Sequence, residues 1–176
     1  MKNLQTLLDA YQQDSRTSNI VQELKNDSPA RVKLLELVGA QLAFVIQGVY
    51  QQYPANHLIV ADNKEEAAYW QNDLAALFGK RPVHFFPDSF KQPLRFEELN
   101  QTNVLERTEV INGVSNASRG QIIVTYPEAL FERVVAPEVL SKTRIEIAKG
   151  EKLDPEFLIQ VLVEYKFTRE EFVFEP

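Results

Sequence analysis

The sequence contains no cysteine, two histidines, one methionine and one tryptophan. Without cysteine, disulfides, zinc ribbons and thiol nucleophiles are excluded, and with only His57 and His84 a multi-histidine metal site is nearly excluded as well. No stretch approaches the roughly 18 to 20 consecutive apolar residues of a membrane span. Met1-Lys2-Asn3-Leu4-Gln5 lacks the apolar run of a secretory signal, so the expected compartment is the cytoplasm. An excess of positive charge is missing too: 19 Lys and Arg stand against 25 Asp and Glu, a formal charge of -6. Gripping DNA by phosphate neutralisation needs clustered Lys and Arg, so a protein partner is the expectation for this segment. What is present is an ordinary globular composition, 44% hydrophobic and 10% aromatic over 176 residues. At that length folding buries roughly 70% of the surface the unfolded chain exposes, enough for one sizeable core with a small appended module.

Leu4, Leu7, Leu8 and Tyr11 recur at helical spacing, and Ile20, Val21 and Leu24 add further turns before Asn26-Asp27-Ser28-Pro29 breaks the pattern. This predicts a helical N-terminal arm over residues 1–27. Val32 to Val38, interrupted by Lys33 and Glu36, reads as a strand, Gly39 as the turn after it, and Leu42 to Tyr50 as a buried helix. His57 to Ala61 reads as a strand bounded by Pro54 and Asp62. Asp62 or Asn63 can cap the helix that follows, whose Ala67, Ala68, Trp70, Leu74, Leu77 and Phe78 face inward. Val83-His84-Phe85-Phe86 predicts a third strand ended by Pro87, Val104 to Val114 a helix, and Gln121 to Thr125 a fourth strand. Strands alternating with helices imply right-handed crossovers and a mostly parallel sheet with helices on both faces. Residues 28–125 are thus expected to form an α/β layer domain.

After Pro127 the texture changes. A short helix through Ala129, Leu130 and Phe131 precedes a strand Arg144-Ile145-Glu146-Ile147 and a turn at Lys149-Gly150-Glu151. A helix from Asp154-Pro155 through Tyr165 and a final strand Glu171 to Phe174 follow. These predict a small α+β module over residues 126–176. The sequence stops at Pro176 directly after a strand, so the module is expected to be truncated and the chain to be part of something longer.

The first turn is where an α/β nucleotide-binding protein carries GxxxxGK[ST], whose backbone amides cradle phosphate while the Lys reaches its terminal oxygens. Here the same frame holds Glu36-Leu37-Val38-Gly39-Ala40-Gln41-Leu42-Ala43. Glu36 replaces the first glycine, Gln41 the second, Leu42 the lysine and Ala43 the hydroxyl. A carboxylate at the mouth opposes an anion, Leu42 supplies no charge, and Ala43 cannot ligate magnesium. Phosphoryl transfer depends on those charges and donors, so no bound cofactor and no ATP hydrolysis are expected in this segment.

Several further stretches fall in a fixed order: His57-Leu58-Ile59-Val60-Ala61-Asp62-Asn63-Lys64-Glu65-Glu66-Ala67-Ala68, Phe85-Phe86-Pro87-Asp88-Ser89-Phe90, Leu105-Glu106-Arg107, and Ile122-Ile123-Val124-Thr125-Tyr126-Pro127-Glu128-Ala129-Leu130. With the degenerate loop, they resemble over roughly residues 28–176 the N-terminal region of bacterial transcription-repair coupling factors, the Mfd family. That region is itself similar to the damage-recognition protein UvrB. The resemblance implies a RecA-like domain that has lost its nucleotide site, followed by a small inserted domain that docks onto UvrA. The residues at 36, 41, 42 and 43 favour the coupling factor over UvrB, which keeps an intact loop. Full-length coupling factors also carry an RNA-polymerase-binding module and an ATP-dependent translocase on double-stranded DNA, and the resemblance touches neither. It therefore assigns recruitment of UvrA to stalled RNA polymerase rather than motor work.

By the same resemblance the UvrA-facing positions are Arg133 and Lys152, with Arg144, Lys149 and Phe131 as weaker additions. Arg suits such a contact because its planar fork binds carboxylates bidentately and stacks well. Each of these residues also has a plainer reading, as solvated surface charge or, for Phe131, as core. Asp88, Glu97 and Glu98 lack a nucleophile or metal partner nearby in sequence, so catalysis is not expected of them. His57 and His84 read as structural. Tyr69, Trp70, Phe85, Phe86, Phe90 and Phe96 read as core packing rather than a base-stacking platform, because the acids around them oppose a nucleic-acid groove. Two rival readings stay open: an active ATP-binding helicase or UvrB-type domain, and an α/β domain of another family that binds a different protein.

Overall fold

The computed structural model describes residues 2–26, 28–90, 99–116, 120–136, 149–150, 152 and 154–164. Two compact units divide the chain, Met1–Val134 and Val135–Pro176.

The first unit is built on a small parallel sheet of three strands, β1 (His57–Val60), β2 (His84–Phe85) and β3 (Ile122–Thr125), in the order β1-β3-β2. Ile59 and Phe85 both sit in register with Val124 from opposite sides. The central strand is buried along its whole length, as its uninterrupted β-branched run requires. Strand β1 lies at one edge and leaves Leu58 and Val60 exposed. Among the described residues of this unit six helices form: α1 (Lys2–Gln13), α2 (Ser15–Lys25), α3 (Gln41–Gln52), α4 (Lys64–Phe78), α5 (Gln101–Asn116) and α6 (Pro127–Phe131). The core gathers Ala43 and Tyr50 from α3, Ala67 and Leu74 from α4, Val110 from α5, and Ile122, Ile123 and Val124 from β3, together with Ala61, Phe86, Tyr126 and Ala129.

Sequence-local devices fix the ends of these elements. Asn63 caps α4 by accepting the Glu66 amide at 2.9 Å, and the helix stops at Gly79, whose φ of 61° is the left-handed value glycine adopts without strain. The arm of α1 and α2 packs on α3: Tyr11 stacks on Phe44 with ring centroids 5.2 Å apart. At Gly48 of α3 a Cβ would stand 3.2 Å from the Tyr11 carbonyl oxygen, so only a bare backbone lets the helices approach this closely.

The strand expected over Val32–Val38 does not form. Residues 28–38 lie outside any strand or helix, and Val32, Leu34, Leu35, Leu37 and Val38 are all exposed. Glu36 is the reason nearest to hand: it adopts φ 60°, a left-handed turn conformation that ends an extended run, and it does so within the apolar stretch. The third expected strand is shorter than Val83–Phe86, with Val83 and Phe86 joining the core from its ends. The expected strands Arg144–Ile147 and Glu171–Phe174 lie outside the described residues.

In the second unit, Gly150 takes φ 97° in the turn Lys149-Gly150, and α7 (Pro155–Glu164) follows. Asp154 caps it, its carboxylate accepting the Glu156 amide at 3.0 Å, with Pro155 in the first turn, where its missing N–H costs nothing. Among the described residues no helix is long and apolar enough to cross a membrane.

Candidate functional site

The loop that precedes α3 carries the residues read as a degenerate phosphate cradle. Gly39 takes φ 56° and turns the chain into the helix, while Ala40 at the N-cap has no side chain to offer the first turn. Gln41 folds back instead: its side-chain carbonyl accepts the Val38 amide at 2.9 Å, so one backbone donor of the loop is already engaged. Leu42 is half-buried and Ala43 is fully buried in the core. Neither position presents a charge or a hydroxyl to the loop mouth. In front of this loop lies a cavity of about 530 Å3, lined by Tyr11, Ile20, Val45 and residues 32–37 and by the acids Asp14, Glu23 and Glu36. Arg16 in its wall is already paired with Asp14 at 2.7 Å.

Four of the buried polar residues, Asp88, Ser89, Arg107 and Thr125, converge elsewhere, where β2 and β3 end. The chain leaves β2 through Phe86-Pro87-Asp88-Ser89 and leaves β3 through Tyr126, so the parallel sheet delivers both segments to the same edge. Asp88 is buried and accepts from the Tyr126 hydroxyl and from the Lys64 ammonium, the latter at 3.0 Å. Its own amide donates to the Tyr126 hydroxyl oxygen at 2.9 Å, and its carbonyl accepts from the Asn103 amide group at 2.7 Å. Burial alone pushes the Asp88 carboxyl upward, but Tyr126 and Lys64 outweigh it and hold the group below the usual carboxylate range. The same burial, with the facing carboxylate, pushes the Tyr126 hydroxyl far up, so the phenol stays protonated and donates.

Beside Asp88, Arg107 reaches in from α5 and is only 4% exposed. Its Nη1 donates to the carbonyls of Pro87 at 2.6 Å and Ala129 at 3.1 Å, and the guanidinium lies over the Phe86 ring at 4.1 Å. Glu132 supplies the counter-charge at 3.7 Å and also accepts the Ser89 amide at 2.8 Å. Burial pushes Arg107 down from its ordinary value, opposed by the Glu132 carboxylate. Arg107 was not singled out in the sequence as a site residue. Its signal was a charged side chain on the apolar face of α5, three residues before the buried Val110.

Directly after α6 this cluster gives way to surface. Phe131 is 89% exposed, and Leu130, Arg133 and Val134 are exposed beside it. Phe131 is therefore not core; it belongs to an apolar strip with a cation in the middle. Lys149 and Lys152 are exposed residues of the second unit. Arg144 lies outside the described residues, as do Phe96, Glu97 and Glu98.

Other residues have plainer roles. His57 hydrogen-bonds the Tyr53 carbonyl at 3.2 Å and packs edge-on against Tyr50, and its burial lowers the imidazole pKa. Trp70 packs against the core and donates to Glu66 at 3.3 Å. Tyr69 departs from the expected core packing: it is 74% exposed, because its position on α4 faces away from the sheet. Among the described residues no group of three or more His, Asp or Glu side chains is placed to hold a metal ion.

No protein-family model matches the chain, and no solved structure matches it significantly. Among curated proteins it is similar to the UvrABC system protein B of Pseudomonas putida, 26% identical over 153 residues that cover 80% of this chain and 23% of that protein. The UvrABC system protein B of Xylella fastidiosa (strain 9a5c) is 24% identical, covering 97% of this chain and 28% of that protein. That of Methanococcus maripaludis is 23% identical, covering 90% and 26%. The chain spans about a quarter of the length of the curated relatives it matches. This weak homology, continuous over most of the chain, supports a UvrB-like region.

Proposed function

We propose that this chain is a protein-docking region in nucleotide excision repair: the UvrB-like N-terminal part of a transcription-repair coupling factor, which recruits UvrA to RNA polymerase stalled at DNA damage. One observation carries the reading. A chain with UvrB-like homology over most of its length has Leu42 and a core-buried Ala43 where a working phosphate loop needs an ammonium and a hydroxyl. Gln41 occupies a loop amide, and the cavity in front is lined by three carboxylates against two cations, Lys33 and the Asp14-paired Arg16. A RecA-like origin accords with the parallel sheet and its crossover order. A segment of this kind contributes recognition, not turnover, and the exposed Phe131 close to the exposed Arg133 has the composition of an interface centre. Polymerase binding and translocation on double-stranded DNA belong, on this reading, to the remainder of the longer protein.

The experiment is retention of the unaltered chain on immobilised UvrA from the same source, with and without competing free chain. Specific, competable retention supports the reading. Failure of a folded sample to be retained would leave the third possibility, an α/β domain that binds a different protein.

A further inference from the structure

Glu132 sits between the two exposed residues on which the docking reading rests, and its side chain points the opposite way. It is the C-cap of α6 and leaves the helix with φ -74° and ψ 132°, while Phe131 before it and Arg133 after it are exposed. With Glu132 turned inward onto the Ser89 amide at 2.8 Å and toward Arg107 at 3.7 Å, Phe131 and Arg133 are sent outward. Helix α6 has five residues and cannot hold its own geometry, since so short a helix is unstable alone and its last carbonyls have no partners within it. Arg107 supplies one of them by donating to the Ala129 carbonyl at 3.1 Å. Arg107 is in turn fixed by the Pro87 carbonyl at 2.6 Å and by the Phe86 ring. Its Nη2 is buried with no hydrogen-bond partner among the described residues, so its charge is offset chiefly by Glu132, with a smaller contribution from Asp88. If Glu132 swung out to water, a buried cation would be left unpaired, which is strongly unfavourable.

We infer that Arg107 and Glu132 are positioning residues: the pairing of the buried Arg107 with the part-buried Glu132 sets the direction in which Phe131 and Arg133 leave the surface, so affinity for UvrA depends on two side chains that act through their neighbours. The inference rests on the proposed docking at Phe131 and Arg133. Neither residue contacts a reacting group, and the lock acts only through its exposed neighbours.

The test uses the full chain with Glu132→Ala and Glu132→Gln, read by UvrA affinity and by amide hydrogen exchange at Ser89 and residues 130–134. Glu132→Ala is expected to lose roughly tenfold in affinity and to speed exchange at those amides while the cooperative melt persists. Glu132→Gln keeps an acceptor for the Ser89 amide and should recover most of the exchange protection and part of the affinity. In a Phe131→Ala, Arg133→Ala background, Glu132→Ala should cost nothing further, because the residues it positions are gone. An equal loss in that background, or unchanged exchange at Ser89 in Glu132→Ala, would overturn the inference. If even the unaltered chain fails to bind UvrA, the docking reading falls by itself, and the exchange data still decide whether the pair locks the segment.

Discussion

Asp88 keeps its charge in a buried place because a phenol, an ammonium and its own amide's link to Tyr126 surround it. Its pKa in the folded chain lies below the ordinary value of about 4. The sign follows directly. The ionised carboxylate stabilises the fold at every pH above that ordinary value, and the contribution fades as pH falls from about 4 through the folded value. Asp88→Asn is therefore expected to lower stability by about 2 kcal/mol at pH 7 and by less at pH 3. Urea denaturation of both chains at the two pH values checks it, and an equal gap at both would show that the charge of Asp88 contributes nothing. Residue for residue, the same cluster explains why Arg133 is free to meet a partner: its neighbour Glu132 is the one committed inward.

At the scale of elements, the sheet joins its helices at two edges. At one, Tyr50 of α3 donates to the Gly120 carbonyl at 2.7 Å, and Arg81 donates to the same oxygen at 2.7 Å while lying 4.8 Å over the Tyr50 ring. Gly120 also passes against the backbone of Ala55 so closely that an added Cβ would collide with the Ala55 carbonyl, which no side-chain rotation relieves. Gly120→Ala should cost on the order of 4 kcal/mol, as misfits to backbone do, and chemical denaturation would show it. A loss under about 1 kcal/mol would mean that the start of β3 can shift freely. Much of this architecture was legible in the sequence. The helical spacing of Leu4, Leu7, Leu8 and Tyr11, the Asn63 cap and the β-branched run of β3 each occur where the pattern placed them. The run Val32–Val38 misled because apolar content does not report backbone sign, and Glu36 turns left-handed inside it. In the candidate site, the altered residue types of the loop could be read directly from positions 36 to 43. The polar cluster could not, because its bonds join residues 15 to 43 apart, Asn103 to Asp88, Arg107 to Pro87 and Ala129, Tyr126 to Asp88, Glu132 to Ser89. Only the closing of the parallel sheet brings them to one edge.

Taken whole, the first unit is a small parallel α/β sheet whose buried charges lie away from the loop before α3. In the loop before α3 the Val38 amide is already engaged by Gln41, and the buried charges lie where β2 and β3 end, Arg107 facing Glu132, which is next in sequence to Phe131 and Arg133. Ligands stabilise a fold in proportion to how well they bind it, so ATP with magnesium at millimolar concentration should leave the melting temperature unchanged. A reproducible rise would contradict the lost-site argument and favour an active nucleotide-binding domain. The central claim is that this scaffold serves a docking surface, and its most direct test is a calorimetric titration of UvrA into the chain and into Arg133→Glu. The account predicts saturable binding by the unaltered chain and at least a tenfold weaker interaction for a variant of equal melting temperature, as for a hot-spot residue. Equal affinity of the two chains would contradict it.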